Sequence, residues 1–246
     1  MKISALISSA IVMWAVSQAS YAQTFTSSEK QVNLVELYTS EGCSSCPPAD
    51  KWLGKLKQQS GLWTEFIPIA FHVDYWDYIG WQDPYAHQRH TVRQSRYQAN
   101  NNIRSIYTPA VIYNGNEWLS WHHSDLPKPE KNNAGQLKIN LTQNQLVAEY
   151  QTDIARNQTL VLNIAVLGFG LISTVNAGEN SGLTLNHEFV VLGYRSVAMQ
   201  PNKVGFFTND IALPPISVGS TQTALATWVS TPKDQTPIQA TGGWLN

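Results

Sequence analysis

The chain has 246 residues, of which 13% are charged and 11% are aromatic, and its formal net charge is −1. A chain so close to neutral has no basic surface for nucleic acid, so that class of partner is excluded. The aromatic content is too high for a disordered protein, and the length suits one large domain or two modest ones.

Residues 1–22 have the pattern of a secretory signal peptide. Lys2 provides the positive charge, residues 3–16 are mostly apolar, and Ala22 ends a segment suited to cleavage. The apolar run is too short to favour a spanning helix, although a retained anchor is the alternative. No later segment is apolar enough to span a bilayer. We therefore predict an exported protein, periplasmic or secreted, with no membrane span after removal of the signal.

The first elements after the signal predict a strand–helix–strand unit. Residues 31–38 and 66–73 are rich in strand formers, and residues 49–59 between them carry apolar side chains at helical spacing. This order predicts two parallel strands joined by a right-handed crossover. A second helix is predicted over residues 84–100, with Asp83 as its N-cap and a proline at its first position.

Strand signals dominate the rest of the chain. A strand that is entered through Thr108-Pro109 runs into Asn114-Gly115, a strong hairpin signal. Residues 126–140 contain Pro, Asn and Gly and are predicted to be a linker. From residue 141 onward, strand-like segments alternate with Gly, Asn and Pro, which predicts a β-sandwich-like domain.

Cys43 and Cys46 are the only cysteines, and they lie at the junction of the first predicted strand and helix. After export, they are expected to form a disulfide. A bridge between residues so close together constrains the unfolded chain little, so the spacing favours redox chemistry. Because a helix N-terminus lowers the pKa of a thiol, Cys43 is predicted to be the exposed nucleophile and Cys46 the resolving thiol. Pro47-Pro48 disfavours helical backbone in the preceding residues, so we expect the regular helix to begin near Pro48.

Two other interpretations of the cysteine pair stay open. It can be a purely structural bridge, or it can bind a metal. Two cysteines alone make a poor zinc site, and a copper site would need a third ligand. His72, His87 and His90 are the early candidates, and their spacing selects none of them. We predict no metal and no other cofactor.

An aromatic and acidic loop, residues 72–83, directly follows a predicted strand, where α/β sheets place ligand sites. Asp74 and Trp76 are predicted to contact the substrate, with Asp74 also a candidate proton carrier. The alternative is that the acids cap the next helix and bond loop backbone, while the aromatic rings belong to the core.

Three other features are interpreted as structural. Arg89, Arg93 and Arg96 fall on the polar face of the second predicted helix and are expected to be solvated. Glu179-Asn180 lies in a Gly-rich segment and is expected to form a turn or a contact between domains. His187 is expected to be structural.

The order strand, Cys-x-x-Cys, helix and strand, followed by Thr108-Pro109 at a further strand, resembles the thioredoxin-like superfamily. The resemblance implies that Pro109 is a cis-proline beside the disulfide. It also implies that Thr108, as in periplasmic disulfide isomerases, pairs its backbone with an extended substrate. The chain departs from ordinary thioredoxins at Gly42, where they have Trp, and Glu36 is about one residue out of register with their buried acid.

A narrower similarity is to the DUF1223 family, which are secreted thioredoxin-like proteins of unassigned function. It rests on the segments 35–50, 72–77, 80–84, 107–109 and 178–180. The similarity is most specific around the cysteines and in the aromatic loop, and it implies a fold without implying a substrate.

Together these observations predict an α/β thioredoxin-like domain over residues 23–125, followed after the linker by a β-sandwich-like domain over residues 141–246. The predicted function is that of an exported thiol–disulfide oxidoreductase. Its expected partners are an exported thiol-containing protein or small thiol, and a redox partner that recycles the disulfide. The alternative is a non-catalytic thioredoxin-like binding or copper-delivery module whose disulfide is structural.

Overall fold

The computed structural model describes residues 22–127, 133–152, 159–203, 205–216 and 218–246, and most of its regular structure is β. The described strands are β1 (Ala22–Thr26), β2 (Asn33–Thr39), β3 (Phe66–His72), β4 (Ala110–Tyr113), β5 (Asn116–Glu117), β6 (Gln136–Thr142), β7 (Gln145–Gln151), β8 (Leu160–Phe169), β9 (Leu171–Thr174), β10 (Thr184–His187), β11 (Val190–Pro201), β12 (Gly205–Ala212), β13 (Gln222–Ser230) and β14 (Gln239–Trp244). The α-helices are α1 (Pro47–Lys55) and α2 (Gln88–Ala99), and short 3₁₀ turns cover Leu56–Gln58 and Asp77–Ile79.

The predicted strand–helix–strand unit is confirmed. Strands β2 and β3 are parallel, and α1 connects them. Every residue of both strands is buried, which explains their continuous apolar runs, since both faces of the pair are covered. Strand β4 pairs with the other edge of β2, and the predicted Asn114-Gly115 hairpin joins it to β5.

The predicted fold class, an α/β thioredoxin-like domain followed by a β-sandwich-like domain, is wrong. The free edge of β3 pairs in parallel with β11, through Val190 opposite Ala70. From β11 the sheet continues on one side through β8, β13 and β14, and on the other through β12, β7, β6 and β1. These twelve strands form one mixed sheet, and β9 and β10 form a separate hairpin. Strand makes up 45% of the described residues and helix only 13%, so this part of the chain is mostly β.

The hydrophobic core crosses the expected boundary between the two halves. Phe71 of β3, Phe169 of β8 and Trp228 of β13 belong to one buried cluster. A second cluster is formed by the later strands, and Phe25 of β1 joins it. The division into domains at residues 126–140 stays a prediction. Residues 128–132 of that segment lie outside the described residues, and its last part forms β6.

Helix α2 begins four residues later than predicted, and the expected N-cap role of Asp83 is wrong. The N-cap is His87, whose ring nitrogen accepts the Arg89 N–H at 3.1 Å. The Asp83 carboxylate instead accepts the backbone N–H groups of Glu41 at 2.8 Å and Tyr85 at 2.9 Å. Asp83 therefore holds the loop after β2 and not the helix.

Arg93 is buried, so the expectation that it is solvated is wrong. Its guanidinium donates two hydrogen bonds to the Glu36 carboxylate at 2.8 and 2.9 Å, and only 2% of the residue is exposed. Burial lowers the pKa of Arg93, but Glu36 and the neighbouring tyrosines together outweigh burial and hold that pKa above its usual range. Because side chains alternate along a strand, Glu36 faces α2, whereas Thr39 faces α1. Glu36 is thus on the opposite side of the sheet from the helix that follows the cysteines.

The predicted signal segment lies outside the described residues up to position 21, and Ala22 begins β1. Over the described ranges, no helix has both the length and the apolar character needed to cross a membrane.

Candidate functional site

The two cysteines form the predicted disulfide at the start of α1. Their Cα atoms are 5.4 Å apart, and Cys46 is the N-cap of the helix. The regular helix begins at Pro47, next to the predicted start. The backbone of Cys46 is nevertheless helical (φ −78°, ψ −37°), so the expected avoidance of that region before proline does not hold there. The tight turn in which the Cys46 N–H bonds the Cys43 carbonyl at 3.1 Å accompanies this conformation.

The expectation that Cys43 is exposed is wrong. Only 1% of Cys43 and none of Cys46 is accessible, although Ser44 and Ser45 between them are exposed. The loop after β3 covers the preceding residue: a Cβ on Gly42 would lie 2.8 Å from the Trp76 Cβ. This close approach accounts for glycine at position 42, because any side chain there would displace the covering loop.

A second segment, Glu179-Asn180, touches the cysteine loop from more than one hundred and thirty positions away. Asn180 is buried, and its amide donates to the carbonyls of Glu41 at 2.8 Å and Cys43 at 3.0 Å. The Glu179 carboxylate accepts the Ser44 N–H at 3.0 Å, and hydrogen bonds from Ser44 lower the pKa of Glu179. Glu179-Asn180 therefore makes the expected contact, and it does so with the cysteine loop itself.

Replacing Asn180 with alanine is expected to lower the free energy of unfolding by about 1–3 kcal/mol, because two buried carbonyls lose their donor. Urea unfolding followed by circular dichroism measures the change. Asn186→Ala, at an exposed position of β10, is the matched control and should stay within about 0.5 kcal/mol of wild type. An equal effect of the two substitutions would show that Asn180 does not hold the cysteine loop.

The predicted substrate-binding residues are only partly gathered at the disulfide. The Thr108–Pro109 bond is cis, as the resemblance implied, and the Trp76 indole N–H donates to the Thr108 hydroxyl at 2.8 Å. Trp76 thereby connects Thr108 to Gly42. Asp74 points instead to α2, where its backbone N–H and carboxylate both contact the Thr91 hydroxyl. This arrangement matches the alternative in which the loop acids bond the next helix.

Two buried histidines lie beside α1, each held by a carboxylate. His72 Nδ1 is 2.7 Å from Asp83 Oδ2, and His187 Nε2 is 3.0 Å from Glu41 Oε1. The two imidazole rings meet edge to face, with their centroids 4.9 Å apart. Asp50, one helical turn after Cys46, completes the group, and one possible ligand atom from each of Asp50, His72 and His187 lies within 4.8 Å of the other two.

Burial and charge pairing shift the pKa values of this group. Burial opposes charge on His72, but the carboxylates of Asp83, Asp50 and Glu41 together outweigh it, so the pKa of His72 is raised. Burial would raise the pKa of Asp83, but His72 and the hydrogen bonds to Asp83 lower it. The pKa of Asp50 is raised because its burial outweighs the two histidines and the hydrogen bond from Thr39. His72 and Asp83 thus each shift the pKa of the other.

Sequence reasoning missed Asp50, Glu41 and Asn180 as site residues and treated His187 as merely structural. Asp50 had a usable signal, since it lies four positions after Cys46 and so on the same side of α1. His187 and Asn180 had none, because only the tertiary fold brings them to the cysteine loop. His87 and His90, considered as ligands beside the cysteines, lie at the start of α2, where His90 Nδ1 bonds the backbone carbonyl of His72.

Comparison with known proteins gives a family and a fold but no activity. A family model described as a protein of unknown function (DUF1223) matches residues 34–230. A crystal structure of an Agrobacterium tumefaciens protein has 20% sequence identity and a TM-score of 0.61, covering 87% of this chain and 94% of that one. HBP35 of Porphyromonas gingivalis has 12% identity and a TM-score of 0.55, covering 89% of this chain and 76% of that one. No curated protein matches significantly.

Proposed function

Because this chain belongs to the DUF1223 family, whose function is unknown, we propose a function from its own site: thiol–disulfide exchange at Cys43 and Cys46. The observation that carries the proposal is a disulfide between residues three positions apart at the N-terminus of α1. The chain-entropy relation gives a loop of about four residues only about 2 kcal/mol of stabilisation, which is little for a structural bridge. The same position supplies the partial positive charge that stabilises a thiolate.

In the exchange, a substrate thiolate attacks Sγ of Cys43. The Cys43–Cys46 bond breaks, its electron pair stays on Cys46 as a thiolate, and a mixed disulfide forms between Cys43 and the substrate. A second substrate thiolate then releases the substrate as a disulfide and leaves the protein reduced. The same steps in reverse reduce a substrate disulfide. Thr108-Pro109 and Trp76 are the proposed contacts for the substrate, and a substrate contact of Asp74, which bonds Thr91 of α2, stays a prediction.

The partners and the location of this reaction are also part of the proposal. The substrate is an exported protein or a small molecule with thiols, in the periplasm or outside the cell, and a separate redox protein regenerates the disulfide. Access to Cys43 requires displacement of the covering loops, since the sulfur pair is buried although Ser44 and Ser45 between the cysteines are exposed. The hydrogen bond between Glu179 and Ser44 is an exposed part of that cover.

Replacing Glu179 with glutamine is expected to lower the pKa of the Cys43 thiol in the reduced protein. A neighbouring carboxylate disfavours a thiolate, so its removal favours ionisation. In a Cys46→Ser background, alkylation of Cys43 by iodoacetamide near pH 6 should be about twofold faster or more. Glu149→Gln, at an exposed position of β7, is the control for loss of one negative charge. Equal alkylation rates in both variants would show that Glu179 does not influence the ionisation of Cys43.

Burial of the sulfur pair favours an alternative function, in which the disulfide is structural and the protein is a non-catalytic binding or copper-delivery module. The reduction potential of the pair, measured by equilibration with dithiothreitol buffers, separates the two. Exchange predicts a potential above about −300 mV, because structural disulfides typically lie below that value. A lower potential, together with a reduced Cys43 that resists alkylation in the folded protein, would refute the proposed function.

A further inference from the structure

Each of the two buried histidines has one ring nitrogen without a hydrogen-bond partner in the part of the chain that the structure describes. These atoms are Nε2 of His72 and Nδ1 of His187. His72 is fully buried and His187 is 2% exposed. A buried polar atom without a partner costs about 1–3 kcal/mol, so two of them side by side require an explanation.

The partnered nitrogens give the two rings the arrangement of metal ligands. His72 is held through Nδ1 by Asp83, and His187 is held through Nε2 by Glu41. A carboxylate that accepts the N–H of one ring nitrogen fixes the tautomer and leaves the other nitrogen with a free lone pair. Metal-binding histidines are commonly held in this way, because the carboxylate orients the ring and increases its basicity.

The third member of the group is the Asp50 carboxylate. Its ligand atom and those of the two histidines lie within 4.8 Å of one another. Tetrahedral ligands at about 2.1 Å from an ion are about 3.4 Å apart, so small side-chain rotations bring this group to bonding distance.

We propose that Asp50, His72 and His187 bind a divalent first-row transition-metal ion of the Zn²⁺ type. Two imidazoles and one carboxylate are ligands that Zn²⁺ accepts, and three protein ligands leave a fourth position for water or another small ligand. Asp50 and His187 also line a cleft of about 490 Å³ between α1 and β10, which gives the ion a route from solvent. The site uses neither cysteine and so does not depend on the proposed exchange.

The test uses the full exported chain with its disulfide intact, freed of metal by chelation and titrated with Zn²⁺ against a chromophoric chelator. Two substitutions delete a ligand atom but retain the donor to the supporting carboxylate. In His72→Asn the amide N–H takes the place of Nδ1–H toward Asp83, and in His187→Gln it takes the place of Nε2–H toward Glu41. Wild type should bind one Zn²⁺, and each variant should have a Kd at least about 100-fold higher.

His123→Asn is the control, because His123 is exposed and its ring centroid lies 3.9 Å from that of His122, where a surface pair can bind zinc adventitiously. It should leave the Kd unchanged. Co²⁺ in place of Zn²⁺ should give absorption bands of a four-coordinate nitrogen and oxygen site, without the charge-transfer band of a thiolate ligand.

Three results would overturn the proposal: no stoichiometric binding by the folded wild type, equal affinity in the His72→Asn and His187→Gln variants, or loss of affinity in His123→Asn alone. A Cys43→Ser/Cys46→Ser variant separates this proposal from the proposed function. The double variant should retain its affinity for Zn²⁺ whether or not the cysteines exchange disulfides. Binding that requires reduced cysteines would assign the metal to the thiols and contradict the histidine site.

Discussion

Replacing Arg93 with methionine is expected to lower the free energy of unfolding by about 3–5 kcal/mol, because it leaves the Glu36 carboxylate buried without its cation. Glu36 is fully buried and accepts both guanidinium hydrogen bonds together with those of the Tyr38 and Tyr97 hydroxyls. The pKa values of Tyr38 and Tyr97 are both raised far above their usual range by burial and by Glu36, so both tyrosines stay neutral donors. Chemical unfolding at pH 7 measures the loss.

Two further variants distinguish charge from packing. Arg96→Met, at an exposed position of the same helix, should change stability by less than about 0.5 kcal/mol. The double variant Glu36→Gln/Arg93→Met should recover part of the loss, because glutamine retains an acceptor for the tyrosines but carries no charge. If the double variant is as unstable as Arg93→Met, an unpaired charge is not the cause.

Replacing Cys43 with serine is expected to reduce thiol–disulfide exchange by about a thousandfold or more, to the uncatalysed rate, because the thiolate is the nucleophile. The insulin-reduction assay or oxidation of a model dithiol peptide measures the rate. Ser44→Ala, which retains both sulfurs and changes only an exposed hydroxyl, should exchange within a few-fold of wild type.

Loss of the disulfide itself accounts for only a small part of such an effect. It costs about 2 kcal/mol by the chain-entropy relation, and Cys46→Ser loses the same bridge. Cys46→Ser should still form a mixed disulfide at Cys43, whereas Cys43→Ser should not. If both serine variants retained exchange, the activity would come from another source.

The local elements were predictable because their signals are local. The apolar runs of β2 and β3, the Asn114-Gly115 turn and the Cys-x-x-Cys junction each depend on a few consecutive residues. The continuation of the sheet was not predictable, because it depends on β11 pairing with β3 through Val190 and Ala70. Nothing in either strand distinguishes an edge that meets a partner from one that ends a sheet.

Some residues of the candidate site were likewise predictable from the sequence, and others were not. Cys43, Cys46 and His72 lie next to strand ends and a helix start, and sequence patterns identify such positions. Asn180 and His187 reach the site only through the loop after β9 and the end of β10. Arg93 was misread because an arginine on a polar helix face normally meets solvent, whereas here a buried glutamate on the facing strand holds it inside.

The central claim is that Cys43 exchanges disulfides with exported substrates, and a Cys46→Ala variant tests it most directly. Without the resolving thiol, a mixed disulfide at Cys43 persists. Expressed in the native compartment and separated under non-reducing conditions, this variant should carry covalent adducts that dithiothreitol releases and that a Cys43→Ser/Cys46→Ala variant lacks. A Cys46→Ala protein that is folded and exported but carries no adduct would contradict the account.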